Sequence, residues 1–341
     1  MPITSVALAL REALREEMRR DERVFILGED VAEFGGAYQI TQGLVEEFGR
    51  ERVRNTPISE EAIVGAAVGA AITGMRPVVE IQFNDFLTCA MDQIVNQAAK
   101  MRVMFGGQVS VPIVIRAPVG ATGRGAQHSQ SLEAWFMHTP GLKVVVPSTP
   151  YDAKGLLKAA IRDNNPVMFF EHKRLYGSRS PGGKARTISG EMEATMTPAP
   201  DEEYVIPLGQ ADIKKKGKDI TVIATLFMVH RVLAIAEALQ KEGIDIEVVD
   251  PRTLVPLDKE TIINSVKKTG RAVIVSEDPL TCGVTSEIAS IIAEEAFDYL
   301  DAPIKRVAVM DTPIPFAPAS EDYVLPNEKR IVTAIRETIR L

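Results

Sequence analysis

The chain has 341 residues, a formal net charge of −7 and 25% charged residues. That length suits two domains of ordinary size better than one core. The composition excludes a disordered or fibrous chain, and the acidic balance without a strong basic block excludes non-specific nucleic-acid binding.

Residues 1–21 alternate charge with an apolar stripe (Val6, Leu10, Leu14, Met18), which predicts an amphipathic helix and not the continuous apolar core of a signal peptide. No run of about 18 apolar residues occurs, so no membrane span is expected and a cytoplasmic location is. Short apolar runs then alternate with helical periodicity, the pattern of a mostly parallel α/β sheet. Strands are predicted over 24–27, 77–83, 111–116, 143–146 and 167–171, with helices starting near Ser59, Asp85 and Tyr151. Their nearly unbroken Val, Ile and Phe content implies that both sheet faces are covered. From 178 to 207 the glycines, prolines and acidic residues show little apolar periodicity and read as a surface linker. Strands follow over 220–224, 246–250, 272–276 and 306–310, with helices over 229–241, 258–268, 285–299 and 328–340. The expected architecture is α/β, two open and mostly parallel sheets: a first domain over 1–178, a linker over 179–207 and a second domain over 208–341. Lys214, Lys215, Lys216 and Lys218 read as a solvated turn between strands. Cys89 and Cys282 give neither a metal spacing nor a disulfide framework, and read as small buried residues in a reducing compartment.

The glycine-rich dinucleotide fingerprint, the phosphate loop ending in Gly-Lys-Ser/Thr, the paired-histidine zinc helix and the serine nucleophile elbow are all missing. Two places stand out instead. Glu60 ends Asn55-Thr56-Pro57-Ile58-Ser59-Glu60 and precedes Ala62-Ile63-Val64-Gly65-Ala66-Ala67-Val68-Gly69-Ala70-Ala71. A helix so small and apolar is expected to be buried on most sides. A carboxylate at its first turn would lie beside the core, where desolvation favours the neutral, hydrogen-bond-donating form. Acids also sit at helix N-termini simply to complement the dipole, with Ser59 as N-cap. Both readings stand on the residues alone. The second place is His128, in the glycine-rich loop Gly120-Ala121-Thr122-Gly123-Arg124-Gly125-Ala126-Gln127-His128, after a strand expected to end near Arg116. Active sites of open α/β sheets gather beyond the carboxyl ends of strands, and glycines let backbone approach a ligand closely. The alternative is a histidine hydrogen-bonded into its own loop. His138, His172 and His230 are assigned structural or solvated roles.

Six motifs in order carry a resemblance. They are Asn55-Thr56-Pro57-Ile58-Ser59-Glu60, Glu80-Ile81-Gln82-Phe83, Ala126-Gln127-His128-Ser129-Gln130, Pro140-Gly141-Leu142-Lys143-Val144-Val145, Asp152-Ala153-Lys154-Gly155-Leu156-Leu157 and Ala160-Ile161-Arg162-Asp163-Asn164-Asn165-Pro166. From about Thr4 to Arg340 the chain resembles the β subunit of the thiamine-diphosphate-dependent decarboxylating component of 2-oxo acid dehydrogenase complexes. The pyruvate, branched-chain and acetoin enzymes share that subunit type. The resemblance implies an aminopyrimidine-binding domain followed by a transketolase C-terminal-like domain. It implies an α2β2 heterotetramer whose α subunit holds the cofactor's diphosphate through Mg²⁺, and the Gly-Asp-Gly motif for that task is missing here.

The resemblance also assigns roles. Glu60 hydrogen-bonds a ring nitrogen of the aminopyrimidine; Ile58, Gln82 and Phe86 match cofactor-pocket residues, although Phe86 equally suits core packing. His128 serves acyl transfer to the lipoyl arm of the dihydrolipoyl acyltransferase, which the C-terminal end, with its proline-stiffened 311–318 segment, helps recruit. Potassium is held by main-chain oxygens at Ile113, Ala160, Ile161, Asp163 and Asn165, where a helix cap without metal is the alternative. Gln127 points to the pyruvate and acetoin types and Glu80-Ile81-Gln82-Phe83 to the branched-chain type; pyruvate is taken as the first substrate. The competing readings are a transketolase or deoxyxylulose-phosphate synthase half, and a non-catalytic assembly relative.

Overall fold

Ser5 is extended, and its Oγ accepts the Leu8 N–H at 3.3 Å, which caps helix α1 (Val6–Arg20). The apolar stripe of α1 is buried as its spacing requires: Val6, Leu10, Leu14 and Met18 are each at most 1% exposed. This is a computed structural model; it describes residues 3–177, 196–200 and 202–340. Of the expected linker, residues 179–195 and 201 lie outside the described residues. The chain divides into two units, Met1–Val119 with Trp135–Leu208, and Gly120–Ala134 with Gly209–Leu341. Residues 120–134, placed with the first domain on the sequence, cluster with the second unit.

In the first unit β1 (Ile3–Thr4) pairs antiparallel with β8 (Thr197–Pro198). The main sheet runs β6 (Lys143–Val145), β7 (Val167–His172), β5 (Val114–Val119), β4 (Arg76–Glu80), β2 (Val24–Gly28), β3 (Val53–Asn55), with every pairing parallel. β2 has β3 on one side and β4 on the other, so the winding reverses at β2 and opens a crevice at the strands' carboxyl ends. Helices α2 (Leu44–Phe48), α3 (Glu60–Ile72), α4 (Met101–Met104), α5 (Glu133–Met137) and α6 (Pro150–Arg162) connect or flank the strands.

The second unit has the order β14 (Lys305–Val309), β13 (Ala272–Pro279), β10 (Ile220–Ala224), β11 (Ile246–Asp250), β9 (Asp212–Lys215), parallel except for the edge strand β9. A short strand β12 (Thr253–Val255) and helices α7 (Phe227–Gln240), α8 (Lys259–Thr269), α9 (Val284–Glu295), α10 (Pro318–Val324) and α11 (Glu328–Arg340) complete it. No helix among the described residues is long and apolar enough to cross a membrane.

Several expectations need correction. The helix expected near Asp85 is a 3₁₀ turn (Asn84–Ala90) followed by a π-helical segment (Asp92–Ala98). The strand expected over 111–116 lies at Val114–Val119, because Val114 is in register with Val78 and Val167. Lys214 and Lys215 lie in β9 and not in a turn; Lys214 pairs with Asp212 at 2.8 Å and Lys215 with Asp245 at 3.1 Å. Both cysteines are exposed, Cys282 in a left-handed conformation at φ 56°. Helix α3 buries Ile63, Val64, Ala67, Val68 and Ala71, but Ala62, Ala66, Gly69 and Ile72 form an exposed stripe, so its all-round apolar composition does not mean burial on most sides.

Candidate active site

Three neighbouring strands end in register: Gly28 of β2 lies opposite Asn55 of β3 and Glu80 of β4. A Cβ on Gly28 would fall 2.6 Å from the Glu80 carbonyl oxygen, so only glycine permits this approach. Asn55 Oδ1 accepts the Ala32 N–H at 2.8 Å and its Nδ2 donates to Glu33 at 3.1 Å, tying the loop after β2 to the end of β3. Beyond the end of β3, Glu60 starts α3, half-buried, and Ser59 holds the N-cap position with no side-chain cap bond. The simple capping motif is therefore incomplete. Burial, then the charges of Glu60 and Asp30, raise the Glu29 carboxyl above its ordinary range. Gln82 is half-buried and its Nε2 donates a long 3.5 Å bond to the Glu29 carbonyl. Phe86 packs edge-on against Phe83 at 5.9 Å between centroids. The Glu60 charge thus acts on the Glu29 carboxyl and Gln82 reaches the Glu29 main chain, while Phe86 packs on Phe83 and Ile58 is 82% exposed. Glu29 was missed by sequence reasoning; an acid directly after a strand end was the available signal.

Below Gln82 lies a buried charge network. Arg116 donates to both oxygens of Glu171 at 2.7 and 2.9 Å and to Glu80 at 2.8 Å, and the Tyr176 hydroxyl donates to Glu171 at 2.8 Å. Burial opposes the Arg116 charge, but Glu171 and Glu80 outweigh it and hold the guanidinium protonated. Burial raises the Glu80 carboxyl, an effect the Arg116 charge only partly offsets.

His128 belongs to the second unit, half-buried in the loop over 120–134. The loop is pinned by two acids far along the chain: Ala121 N–H donates to Glu277 at 2.6 Å and Gly123 N–H to Glu321 at 2.7 Å. Ala121 joins Val309, Ile314, Val324 and Leu325 in a small core, and Gly125, at φ +75°, turns under the Phe316 ring. Phe316 is 64% exposed. His172 is buried and accepts the Arg174 N–H at 3.1 Å, a structural role; His138 is exposed and His230 half-buried beside Phe227.

The same loop ends on Glu133, 3% exposed, whose Oε2 has no hydrogen-bond partner among the described residues. Burial, then the Asp278 charge, push its carboxyl up to about 8, and burial pushes Asp278 up to about 6. A folded-state value raised above the ordinary 4.5 stabilises the fold fully below that pH and progressively less as pH rises through about 8. Glu133→Gln should therefore raise the melting temperature by about 2–4 °C at pH 8.5 and leave it unchanged near pH 5. Thermal unfolding followed at both pH values checks this; equal shifts at the two pH values would refute it.

The residues assigned to potassium lie together at the end of α6 and the start of β5, all in the first unit. The Ile113 carbonyl accepts Val167 N–H at 2.9 Å and the Ala160 carbonyl accepts Asp163 N–H at 3.2 Å. The Ile161 and Asp163 carbonyls accept from Arg76 at 2.9 and 2.6 Å. Asn165 donates its N–H and Nδ2 to Asp163 Oδ1, both at 2.8 Å. Two carbonyls assigned to the ion are engaged by a guanidinium, so this set does not fit a bound potassium.

The family model described as transketolase, pyrimidine binding domain matches residues 4–179, and the one described as transketolase, C-terminal domain matches residues 209–331. Over 339 residues the chain is 50% identical to the 2-oxoisovalerate dehydrogenase subunit beta of Bacillus subtilis (strain 168), covering 99% of each. The chain belongs to the β-subunit family of the 2-oxo acid dehydrogenase E1 components. It is 48% identical over 338 residues to the pyruvate dehydrogenase E1 component subunit beta of Rhizobium meliloti (strain 1021), covering 98% of this chain and 70% of that one. A solved chain described as split gene transketolase, inactive beta4 tetramer, superposes with a TM-score of 0.76 at 23% identity, covering 99% and 98%. That likeness shows a shared fold. The family expected from six motifs, and the two-domain α/β fold expected from strand–helix alternation, are both met.

Proposed function

We propose that this chain supplies half of an active site which, completed by an α subunit, uses thiamine diphosphate to decarboxylate a 2-oxo acid and passes the acyl group to the lipoyl arm of a dihydrolipoyl acyltransferase. The observation that carries the reading is that β2, β3 and β4 end in register, with Gln82 bonded to the Glu29 main chain and Glu60 acting on the Glu29 carboxyl, inside the unit matched by the pyrimidine-binding model. An aminopyrimidine presents ring nitrogens to hydrogen-bond and a flat face to pack. A half-buried carboxyl, an amide and an aromatic ring suit those features, and buried Thr56 Oγ1, which has no partner among the described residues, offers a further polar contact. The bound cofactor supplies the carbon nucleophile and electron sink that decarboxylation needs. Glu60 would hydrogen-bond a ring nitrogen of the bound aminopyrimidine, and burial together with the Glu60 charge raises the Glu29 carboxyl. Phe86 and Gln82 orient the ring. We assign the Mg²⁺ to the α subunit, since the Gly-Asp-Gly motif that the resemblance gives that task is missing from this sequence.

The exposed stripe of Ala62, Ala66, Gly69 and Ile72 on α3, which begins at Glu60, supports a partner chain covering that face. An α2β2 assembly and a cytoplasmic location fit this reading. Pyruvate is the first substrate, with 2-oxoisovalerate and acetoin as the alternatives. The test is co-expression with an α subunit and assay of 2-oxo-acid-dependent reduction of 2,6-dichlorophenolindophenol. The assembled enzyme should turn over and the chain alone should not. Turnover of sugar phosphates instead would favour a transketolase half, and no thiamine-diphosphate-dependent turnover a non-catalytic relative.

His128 is assigned to lipoyl acylation, where an imidazole can give or take a proton. His128→Ala should lower acylation of the lipoyl domain by about 10²-fold or more while leaving decarboxylation with the artificial oxidant within a few-fold. Equal loss in both assays would move His128 to substrate binding.

A further inference from the structure

Arg76 opens β4 and is 8% exposed. Its guanidinium forks onto the C-terminal end of α6: Nε donates to the Ile161 carbonyl at 2.9 Å, Nη2 to the Asp163 carbonyl at 2.6 Å and Nη1 to Asn164 Oδ1 at 3.1 Å. The last carbonyls of a helix have no partner within the helix and carry its negative dipole end, so a cation is stabilised there. Lys143 adds a second positive charge through its 2.5 Å pair with Asp163 Oδ2. Ile161 and Asp163 are two of the positions at which the resemblance expects a potassium ion. A metal ion on those oxygens would stand against a fixed guanidinium, with an ammonium on the carboxylate beside it, and like charges repel at such range.

We propose that Arg76 does the work of a monovalent cation in this chain. Its charge neutralises the carbonyls that close α6 and ties them to β4, so the site is filled by a covalently attached cation and the fold does not depend on potassium. The guanidinium suits the task because its planar fork reaches several oxygens at once, as an ion does and as a lysine ammonium does less well. The inference does not rest on the reading of Glu60 or His128.

The test is thermal unfolding of the full chain assembled with its α subunit, in about 0.1 M potassium, sodium or choline chloride at matched ionic strength. The wild type should melt within about 1 °C in all three salts. Arg76→Met keeps the length and removes the charge; it should melt about 5 °C or more lower in choline chloride and recover at least half of that in potassium or in millimolar guanidinium. Arg76→Lys keeps a charge and should fall less, with no response to potassium. A saturable, potassium-specific rise in the wild-type melting temperature overturns the proposal. So does an Arg76→Met protein that melts like the wild type, or one that is weakened but answers to neither potassium nor guanidinium. Should Arg76→Met fail to assemble, a potassium response in Arg76→Lys overturns it equally.

Discussion

Glu60→Gln should lower decarboxylation of the 2-oxo acid by about 10²–10⁴-fold in the assembled enzyme, the usual contribution of one positioned proton donor. The substitution keeps the side-chain volume and the helix, but an amide cannot hold and release a proton at a ring nitrogen. Among the described residues the Glu60 side chain has no hydrogen bond or ion pair, and it is half-buried, so little stability rests on it. The melting temperature should therefore stay within about 1–2 °C of the wild type, the range of an ordinary surface substitution. A second readout separates lost chemistry from lost structure. Removing the Glu60 charge takes away one of the causes that raise the Glu29 carboxyl, so the titration of Glu29 should move down towards the ordinary carboxylate range. Carboxyl-labelled NMR of wild type and variant would show that shift. Near-normal turnover in Glu60→Gln would remove this residue from the mechanism.

Local pattern carried the reading as far as local pattern reaches. The buried stripe of α1 is set by periodicity within one element, and the expected bounds of the strands at Ile220–Ala224 and Ile246–Asp250 and of the last helix at Glu328–Arg340 coincide with the observed ones. β9 escaped because the run Asp-Ile-Lys-Lys is charged like many edge strands, whose exposed side favours lysine. β5 was misplaced by three residues because an unbroken apolar run has no period; its limits come from pairing with Val78 and Val167. Glu60 and His128 were visible as odd residues in telling local settings. The long-range bonds around them were not, since each joins residues far apart in the chain: Arg116 beneath Gln82 reaches Glu171 across 55 positions, and Gly123 in the His128 loop reaches Glu321 across 198. No short window holds such a pair. The exposed face of α3 shows the same limit from the other side. Small apolar residues announce close packing but do not say whether the neighbour is this chain or another.

Arg116→Met should cost the first unit about 3–5 kcal/mol, the loss typical when one partner of a buried ion pair is removed. Glu80 and Glu171 are 5% and 1% exposed, and without the guanidinium both are left in a dry interior with like charge facing like. They respond by taking up protons. Burial already raises the Glu80 carboxyl in the wild type, and loss of Arg116, which holds it down, raises it further. The sign then follows: a carboxyl raised in the folded state stabilises below its unfolded value and loses that stabilisation as pH rises through the folded one. Arg116→Met should accordingly be destabilised less near pH 5 than near pH 8, and urea midpoints at the two pH values measure the difference. Equal losses at both would mean that the network is neutral by other means. Replacing Glu80 and Glu171 by Gln in the same background should recover much of the stability, since a buried triad exchanged whole is often close to neutral. The strand carrying Glu80 leads directly into Ile81 and Gln82. Gln82 follows Glu80 by two residues, so the recovered variant is expected to bind thiamine diphosphate less tightly than the wild type.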